Sequence, residues 1–348
     1  MATITAAATY PINAQQYAVD QSVAAPTTPY SGTFIPSFWS GKLAKKFYDT
    51  TIFGAITNTD WAGEIKNVGD EVVINTIPTI SVKDYKVGQH LEYEVPTGKT
   101  FTMKVDQGEY FGVNVNDVME YQSKIPLMNT FCDDAAQQMK LRVDAKGLHK
   151  TFFGTVDGAT LATNDDGYGA IYEANCGANA GAHTGAFNLG TDAAPVTVTK
   201  DNIIQCITAL STVLDEANVP EDGRFLVLSP YERYLLMSSP LAQAYVTGDS
   251  QSILRNGKIG RIDRFAIYVT NVLPTAKASE GWNGEAGEGV KRHLIFAGQK
   301  SAISFCSQIS KVEKLQNPTD FGQLVRGLNI WGSQVTMGKC LAPMIVAN

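Results

Sequence analysis

The sequence predicts an α+β fold, and three observations support this class. The longest periodic segment places apolar residues at helical spacing over about 30 residues. Shorter segments before and after it carry the alternating or continuous apolar runs that are typical of strands. Helices and strands mix without regular β–α alternation and without an internal repeat, which is the arrangement of α+β proteins.

Composition and charge argue against several classes of protein. Of the 348 residues, 44% are hydrophobic and 18% charged, as in soluble proteins with one large domain or two to three modules. The net charge is −6 and no basic run exceeds Lys45-Lys46, which argues against binding nucleic acid by neutralising phosphates. The N-terminus lacks the basic and apolar regions of a secretory signal, and no apolar stretch approaches the ~20 residues that span a bilayer.

The first predicted region is an arm. Residues 1–33 are rich in Ala, Thr, Gln and Pro and show no periodicity, so we expect them to be ordered only by contacts outside themselves. A more hydrophobic segment, Phe34–Ile56, follows.

The next region is a long hairpin. Glu71–Ile77 and Thr100–Asp106 have strand patterns and are separated by roughly twenty mostly polar residues. An isolated two-stranded hairpin is marginally stable in water. We therefore expect another surface, in the same chain or in a neighbour, to support it.

A long helix is predicted after the hairpin. Its apolar stripe repeats at steps of three or four residues from Tyr121 to Val143, Asp117 is a plausible N-cap, and Pro126 should kink its first part. A helix of about 30 residues would span about 40 Å, the width of a domain.

The rest of the chain mixes loops with short elements. Gly154–Gly190 predicts an irregular glycine-rich insertion. Ser229-Pro230-Tyr231-Glu232 is a capping box with proline at the first helical position. Further helices are predicted at Asp201–Ala217 and Ser229–Met237, and further strands at Arg224–Leu228, Phe265–Thr270, His293–Ala297, Lys311–Leu315 and Arg326–Val335.

One motif suggests a phosphate site. Gly98-Lys99-Thr100 matches the end of a P-loop, but Tyr93 stands where that loop needs its first glycine. Phe101, Met103 and Val105 then alternate with polar residues, which predicts a strand rather than the required helix. The sequence therefore favours a strand of the hairpin over a nucleotide site.

A second motif suggests a calcium site. Asn164, Asp166, Gly167 and Glu173 match four positions of an EF-hand loop, but Ala162 replaces its first ligand. Because Asn, Asp and Gly also tolerate the left-handed backbone of turns, a turn is favoured.

The remaining candidates for chemistry are weaker. Gly257-Lys258-Ile259-Gly260 matches the GXXG loop of KH domains, but a predicted strand follows it, so we interpret it as a turn. Asp133 and Asp134 are adjacent on the predicted helix and should point apart. HExxH and GxSxG are absent, and four histidines share no metal spacing: His90, His149, His183 and His293. Five scattered cysteines without C-x-x-C are predicted to be reduced thiols in a cytosolic context: Cys132, Cys176, Cys206, Cys306 and Cys340.

The order of these segments resembles the major capsid protein of tailed bacteriophages, a fold shared with encapsulins. Val68–Pro78 and Gly98–Asp106 resemble the strands of its extended loop, and Asp117–Leu148 resembles its spine helix. Asn218–Met237 and Gly257–Pro274 resemble two runs of its axial domain. The resemblance covers about residues 34–335 and depends on the order of the segments, since no single motif is specific.

The resemblance implies five regions. They are an N-terminal arm (1–63), an extended hairpin loop (64–112), a peripheral domain with the spine helix and the Gly-rich insertion (113–200), an axial domain (201–298) and a C-terminal return to the peripheral domain (299–348).

The resemblance also implies a structural protein and not an enzyme, with no catalytic, cofactor-binding or metal-binding residue. The expected role is a virion capsid subunit, assembled in the host bacterial cytoplasm into the pentamers and hexamers of an icosahedral head. That head would enclose double-stranded phage DNA without sequence-specific binding and without a membrane. A portal is an implied partner, and a decoration protein is a further candidate. A scaffolding protein is expected to be separate, because only residues 1–33 precede the matched part. Two alternatives stay open: an encapsulin-type nanocompartment shell, and an enzyme with an unrecognised site.

Overall fold

The structure is a computed structural model that describes residues 51–61, 71–78, 80–116, 127–158, 160–239, 261–276, 292–317 and 321–347. Contacts divide the chain into two units, Met1–Leu43 and Ala44–Asn348, and all the described residues belong to the second. Most of the predicted arm, the N-cap Asp117, Pro126 and the GXXG segment 257–260 lie outside the described residues.

The described elements are four helices and fourteen strands. The helices are α1 (Phe53–Ile56), α2 (Leu127–Phe153), α3 (Ile203–Glu216) and α4 (Pro230–Ser238). The strands are β1 (Glu71–Asn75), β2 (Thr100–Lys104), β3 (Gln107–Asn116), β4 (Thr163–Asn164), β5 (Ile171–Tyr172), β6 (Val196–Thr197), β7 (Arg224–Leu228), β8 (Arg261–Ile262), β9 (Phe265–Val269), β10 (Thr275–Ala276), β11 (Arg292–Gln299), β12 (Ile303–Gln316), β13 (Gly322–Val335) and β14 (Leu341–Ala347).

The largest sheet has the order β6-β14-β11-β7-β9-β8, with β10 also paired to β11. Strands β7 and β14 are buried along their whole length, which explains their continuous apolar sequences. Helix α3 packs on β11 and β14 through a stripe that includes Ile203, Ile207 and Leu214. This stripe has the helical spacing that the sequence predicted.

Helix α4 begins as its sequence predicted. The Ser229 side chain accepts a hydrogen bond from the Tyr231 N–H, and the Ser229 N–H donates to the Glu232 carboxylate at 3.0 Å. Pro230 occupies the first helical position, where its missing N–H costs nothing.

A second sheet of three long strands, β12-β13-β3, is covered on one face by helix α2. The Glu109 carboxylate on β3 pairs with Arg142 at 3.0 Å and with Lys146 at 2.5 Å on that helix. Gly327 on β13 leaves room for the ring of Phe111 from β3, since a Cβ at this position would overlap the ring. The sheet and the helix together form the platform for the hairpin.

The base of the hairpin packs on the opposite face of this sheet. Met103, Val105 and Cys306 form a small buried cluster. Partly buried side chains surround it: Trp61, Val72, Ile74 and Ile330. Gly332 on β13 touches the backbone of Lys104 and Val105 so closely that no Cβ fits there. The base is therefore fixed by packing, although the hairpin leaves the body of the protein.

Seven of the fourteen described strands were not predicted from the sequence; five of these have only two residues, and the other two are β3 and β14. Gly108 and Gly112 interrupt the alternation of β3, and Pro343 lies within β14. Pro343 has no N–H to donate to a neighbouring strand. It is tolerated in β14 because β6 pairs with this strand only at Val346 and Ala347. Strands β12 and β13 begin before the predicted Lys311 and Arg326, and α2 runs past Leu148 to Phe153.

Strand β14 joins the C-terminal segment to the largest sheet. It pairs with β11 and lies in the same sheet as β7. The glycine-rich insertion 154–190 is irregular as predicted and packs on this strand. Gly190 has φ +79° and lies against the Ile345 carbonyl, so this position requires glycine for both conformation and space.

We expect Gly332→Ala to lower the free energy of unfolding by about 1–3 kcal/mol, because a methyl group must displace the Lys104–Val105 backbone. The matched control is Gly112→Ala in the same sheet, where nothing lies within 4 Å of the new Cβ and the change should stay within about 0.5 kcal/mol. Urea denaturation of the unassembled protein measures both. Equal values for the two variants would contradict close packing of the hairpin base on β13.

Candidate interaction surface

The hairpin, residues 71–104, keeps one register far beyond its hydrogen-bonded strands. Strands β1 and β2 pair from Glu71 and Lys104 to Asn75 and Thr100. The Thr76 N–H then donates to the Lys99 carbonyl at 2.8 Å, which continues the ladder by one step. Farther out, cross-strand partners in the same register are joined by side chains: Ser81 with Glu94, and Lys83 with Glu92 at 2.9 Å.

The hairpin ends in a tight turn in the same register. The Gln89 N–H donates to the Lys86 carbonyl at 3.0 Å, and Gly88 has φ +88°. Glycine with positive φ at the third position of a four-residue turn is typical of type II turns. Residues 77, 78 and 80–98 thus form a ribbon that is held mainly by side chains and by its turn.

The hairpin carries an unusual amount of exposed apolar surface. Nine of the eighteen large hydrophobic side chains that are exposed among the described residues belong to it, and Val82 is 98% exposed. The nine are Val73, Ile77, Ile80, Val82, Tyr85, Val87, Leu91, Tyr93 and Val95. Exposed apolar surface concentrated on one element marks an interaction site.

An ion pair ties the stem of the hairpin to the glycine-rich insertion. The Lys99 ammonium lies 2.5 Å from the Asp166 carboxylate. The hydrogen bond from Lys99 holds the pKa of Asp166 below its ordinary value, and the same contact raises the pKa of Lys99. Gly98-Lys99-Thr100 leads into strand β2 and not into a helix, so the structure has no helix N-terminus at the P-loop-like motif.

Three of the four EF-hand-like residues, Asn164, Asp166 and Gly167, form a turn, and Glu173 begins a short 3₁₀ helix after it. The Asn164 carboxamide accepts from the Gly167 N–H at 2.8 Å and donates to the Tyr168 carbonyl at 2.7 Å. Asp166 accepts from the Tyr168 N–H in addition to its ion pair with Lys99. The polar side-chain groups of Asn164 and Asp166 are therefore already engaged in hydrogen bonds of the turn and in the ion pair with Lys99. Within the described part of the chain, no group of three His, Cys, Asp or Glu residues could hold a metal ion.

Ser229, His293 and Glu232 lie close together, but in a structural and not a catalytic arrangement. His293 Nε2 lies 2.7 Å from Glu232 Oε1, and Ser229 donates to the other oxygen of the same carboxylate. Because Glu232 is fully buried and lies between the other two, the histidine does not contact the hydroxyl it would have to activate. His90, His149 and His183 lie on the hairpin, on α2 and in the insertion, apart from this pair.

Four of the five thiols are poor nucleophiles at neutral pH. Burial and the charge of Glu173 raise the pKa of Cys176 to about 11, and burial also raises the pKa of Cys206, Cys306 and Cys340. A thiol reacts as the thiolate, so these environments are those of structural cysteines. Asp133 and Asp134 lie side by side on α2, as the sequence predicted.

A groove of about 440 Å³ separates α2 from the three-stranded sheet and is largely apolar, with Phe53, Phe111 and Met139 among its lining residues. Asp144 at its edge accepts hydrogen bonds from the Ile52 and Phe53 N–H groups at 2.6 and 3.3 Å. Burial raises the pKa of this carboxyl despite those two hydrogen bonds. The contacts fix the start of α1 beside the groove.

Comparisons of structure identify the fold, although no family model and no curated protein sequence matches the chain. A chain from Mycobacterium phage Che8 aligns with a TM-score of 0.65 and 22% identity over 89% of this protein and 96% of its own length. A capsid chain of cyanophage P-SCSP1u has a TM-score of 0.61 and 15% identity over 91% and 94%. A capsid chain of Ralstonia phage GP4 has a TM-score of 0.59 and 13% identity over 93% and 98%.

The protein thus has the major capsid protein fold of tailed phages, as the order of its segments predicted. Among the described residues, no helix is long and apolar enough to cross a membrane.

The buried Glu232 should make stability depend on pH. Burial alone would raise the pKa of Glu232. The hydrogen bond and charge of His293, with the hydrogen bond from Ser229, outweigh burial and lower this pKa below its ordinary value of 4.5. A carboxyl group whose pKa is lower in the folded than in the unfolded state stabilises the fold at pH values above its unfolded-state pKa. This contribution is lost as the pH falls through the folded-state pKa. Stability should therefore decline below about pH 4.5.

Glu232→Gln should lower the free energy of unfolding at pH 7 by about 1–3 kcal/mol and flatten its dependence on pH below about pH 4.5. Glu221→Gln, which alters an exposed carboxylate beside Arg264, is the control and should stay within about 0.5 kcal/mol. Denaturant titrations from pH 7 to pH 3 measure both effects. An unchanged acid profile in Glu232→Gln would contradict the assigned role of the buried carboxylate.

Proposed function

We propose that this protein is the major capsid subunit of a tailed phage, and that copies of it assemble into the icosahedral head that encloses double-stranded DNA. The observation that carries the proposal is the preformed hairpin, which exposes nine large apolar side chains on a chain with a capsid-protein fold. A solitary soluble protein gains nothing from such a surface, whereas a lattice subunit buries it against its neighbours.

The outer part of the hairpin, residues 80–95, also lacks the support that an isolated ribbon needs. Two-stranded hairpins are marginal in water, and unpaired strand edges pair readily with other chains. Repeated contacts of one kind around a rotation axis close into rings, which suits the proposed pentamers and hexamers. Each contact can be weak, because many contacts per subunit act at high effective concentration.

The charge of the chain suits an enclosing shell. A net charge of −6 disfavours tight binding of phosphates, which supports a proposed shell that encloses DNA without sequence-specific binding. Packaging of the DNA would then depend on a portal and its motor. Assembly of the shell would use a separate scaffolding protein. We also propose assembly in the host bacterial cytoplasm, the five-region division at residues 63, 112, 200 and 298, and a decoration protein as a further partner.

Replacing Ser81–Glu94 by Asn-Gly should abolish closed shells and leave the fold intact. The cut removes the same length from both sides of the ribbon, since Ser81 and Glu94 are cross-strand partners. It leaves the β1–β2 ladder and the Lys99–Asp166 pair in place. Sedimentation velocity and electron microscopy measure the particles, and circular dichroism checks the fold.

The control is a double variant, Lys83→Glu with Glu92→Lys, which keeps the length, the ion pair and the apolar residues of the hairpin. It should assemble like the unaltered protein. Normal shells from the shortened protein would contradict the role of the hairpin. A compact monomer or dimer of the unaltered protein at high concentration would contradict the proposed function itself.

A further inference from the structure

The glycine-rich insertion supports the stem of the hairpin from the side. Its loop 164–172 contacts the stem at two points: Asp166 pairs with the Lys99 ammonium at 2.5 Å, and Gly169 lies against the side chain of Phe101. Phe101 belongs to strand β2, and Lys99 stands directly before that strand. The loop therefore reaches the hairpin at the outer end of its paired strands.

This loop is itself fixed to the body of the protein. The Gly167 carbonyl accepts a hydrogen bond from the Gly338 N–H at 2.6 Å, and the Gly169 carbonyl accepts one from the Gln334 side chain at 2.7 Å. Gln334 belongs to β13, and Gly338 lies between β13 and β14. Because the loop is held by these two bonds, it can hold the stem of the hairpin in turn.

The ladder of the hairpin stops just outside this support. The backbone N–H and the hydroxyl of Thr76 both bond to Lys99, which closes the last rung. Pro78 and Pro96 follow on the two sides, and a proline has no N–H to donate to a ladder. The described residues 77, 78, 80 and 95–98 show no backbone hydrogen bond across the ribbon. The last rung is therefore the base from which the outer part of the hairpin leaves.

A cleft of about 560 Å³ lies between the insertion and the hairpin beyond this rung. Lys83 and Glu94 line its hairpin wall, and Asp166 lines the opposite wall. Lys83 and Glu94 are bonded to partners within the ribbon. Within the described part of the chain, Lys99–Asp166 is the only ion pair between the insertion and the hairpin. The cleft leaves room for the outer hairpin to change direction when that pair is open.

We propose that the Lys99–Asp166 ion pair is a latch that sets the direction of the hairpin relative to the glycine-rich insertion, and that ionic strength controls how often the latch is closed. The Lys99 side chain is 72% exposed, so salt screens the pair. An exposed ion pair shifts an equilibrium by about fivefold at most, which is enough to narrow or widen the range of directions of a hinged ribbon. The inference goes beyond the proposed capsid function and does not depend on it, because the latch acts within one chain.

Asp166→Asn tests the latch with little change in shape. Asparagine keeps an oxygen that can accept from the Tyr168 N–H, but it loses the charge that pairs with Lys99. The matched control is Glu71→Gln, which removes the exposed Lys104–Glu71 pair at 2.7 Å. Both partners of that pair belong to the hairpin, so it does not tie the hairpin to the insertion. The rescue variant, Lys99→Glu with Asp166→Lys, restores opposite charges in reverse order.

Distances measured in the free subunit report the direction of the hairpin. Spin labels on p-acetylphenylalanine replace two exposed residues, His90 beside the turn of the hairpin and Asp157 in the insertion, and leave the native cysteines untouched. Double electron–electron resonance of the unaltered protein should give a narrow distribution at low salt. The distribution should widen at about 1 M salt, where the Debye length is about 3 Å. At low salt, Asp166→Asn should raise the population outside the main peak about two- to fivefold, whereas Glu71→Gln and the rescue variant should keep it narrow.

Three results would overturn the latch. The first is a distribution for Asp166→Asn at low salt that is as narrow as that of the unaltered protein. The second is equal widening in Glu71→Gln, and the third is a rescue variant that stays wide, because the loss of Asp166 would then act on its turn and not through the pair. Since each measurement uses the free subunit, all three results leave the capsid function standing, and that function is tested separately by the formation of shells.

Discussion

The structure depends on one constraint: a ribbon of about twenty residues must hold its shape in water while its apolar side chains stay uncovered. Packing cannot supply this, because the outer hairpin has no buried side chain between Ile80 and Val95. Two polar cross-links and a glycine turn fix the register instead. The ribbon presents its apolar side chains to solvent in the single chain. This uncovered surface is the reason for our proposal that the protein acts as a subunit of an assembly.

Helix α2 and the three-stranded sheet hold the base of the hairpin in place. Helix α2 covers one face of the β12-β13-β3 sheet, and Glu109 joins the two through Arg142 and Lys146. The other face receives the base of the hairpin through Met103 and Gly332. The large sheet and α3 belong to the main hydrophobic core together with α1 and the C-terminal end of α2, and they expose no apolar surface of comparable size among the described residues. Exposed large apolar side chains of the described residues are therefore concentrated at the hairpin.

The sequence predicted the elements whose residues have a strong local pattern. The stripe of α3, the capping box at Ser229 and the alternation from Thr100 to Lys104 all specify their structures without help from distant residues. Strands β3 and β14 were missed because Gly112 and Pro343 obscure the local signal, and only pairing with distant strands makes them regular. The apolar residues of the hairpin, such as Ile80, Val82 and Tyr93, can be found in the sequence, but the register that joins its two sides needed the structure.

Hydrogen exchange of the hairpin amides, compared between free subunits and assembled particles, tests the central claim most directly. Amides protected by docking exchange more slowly in proportion to the stability of the contact. The account predicts fast exchange across residues 80–95 in the free protein and strong protection of the same residues in particles, with little change in strands β7 and β14. Equal exchange of 80–95 in both states would contradict it, because the ribbon would then be as exposed in the particle as it is in the single chain.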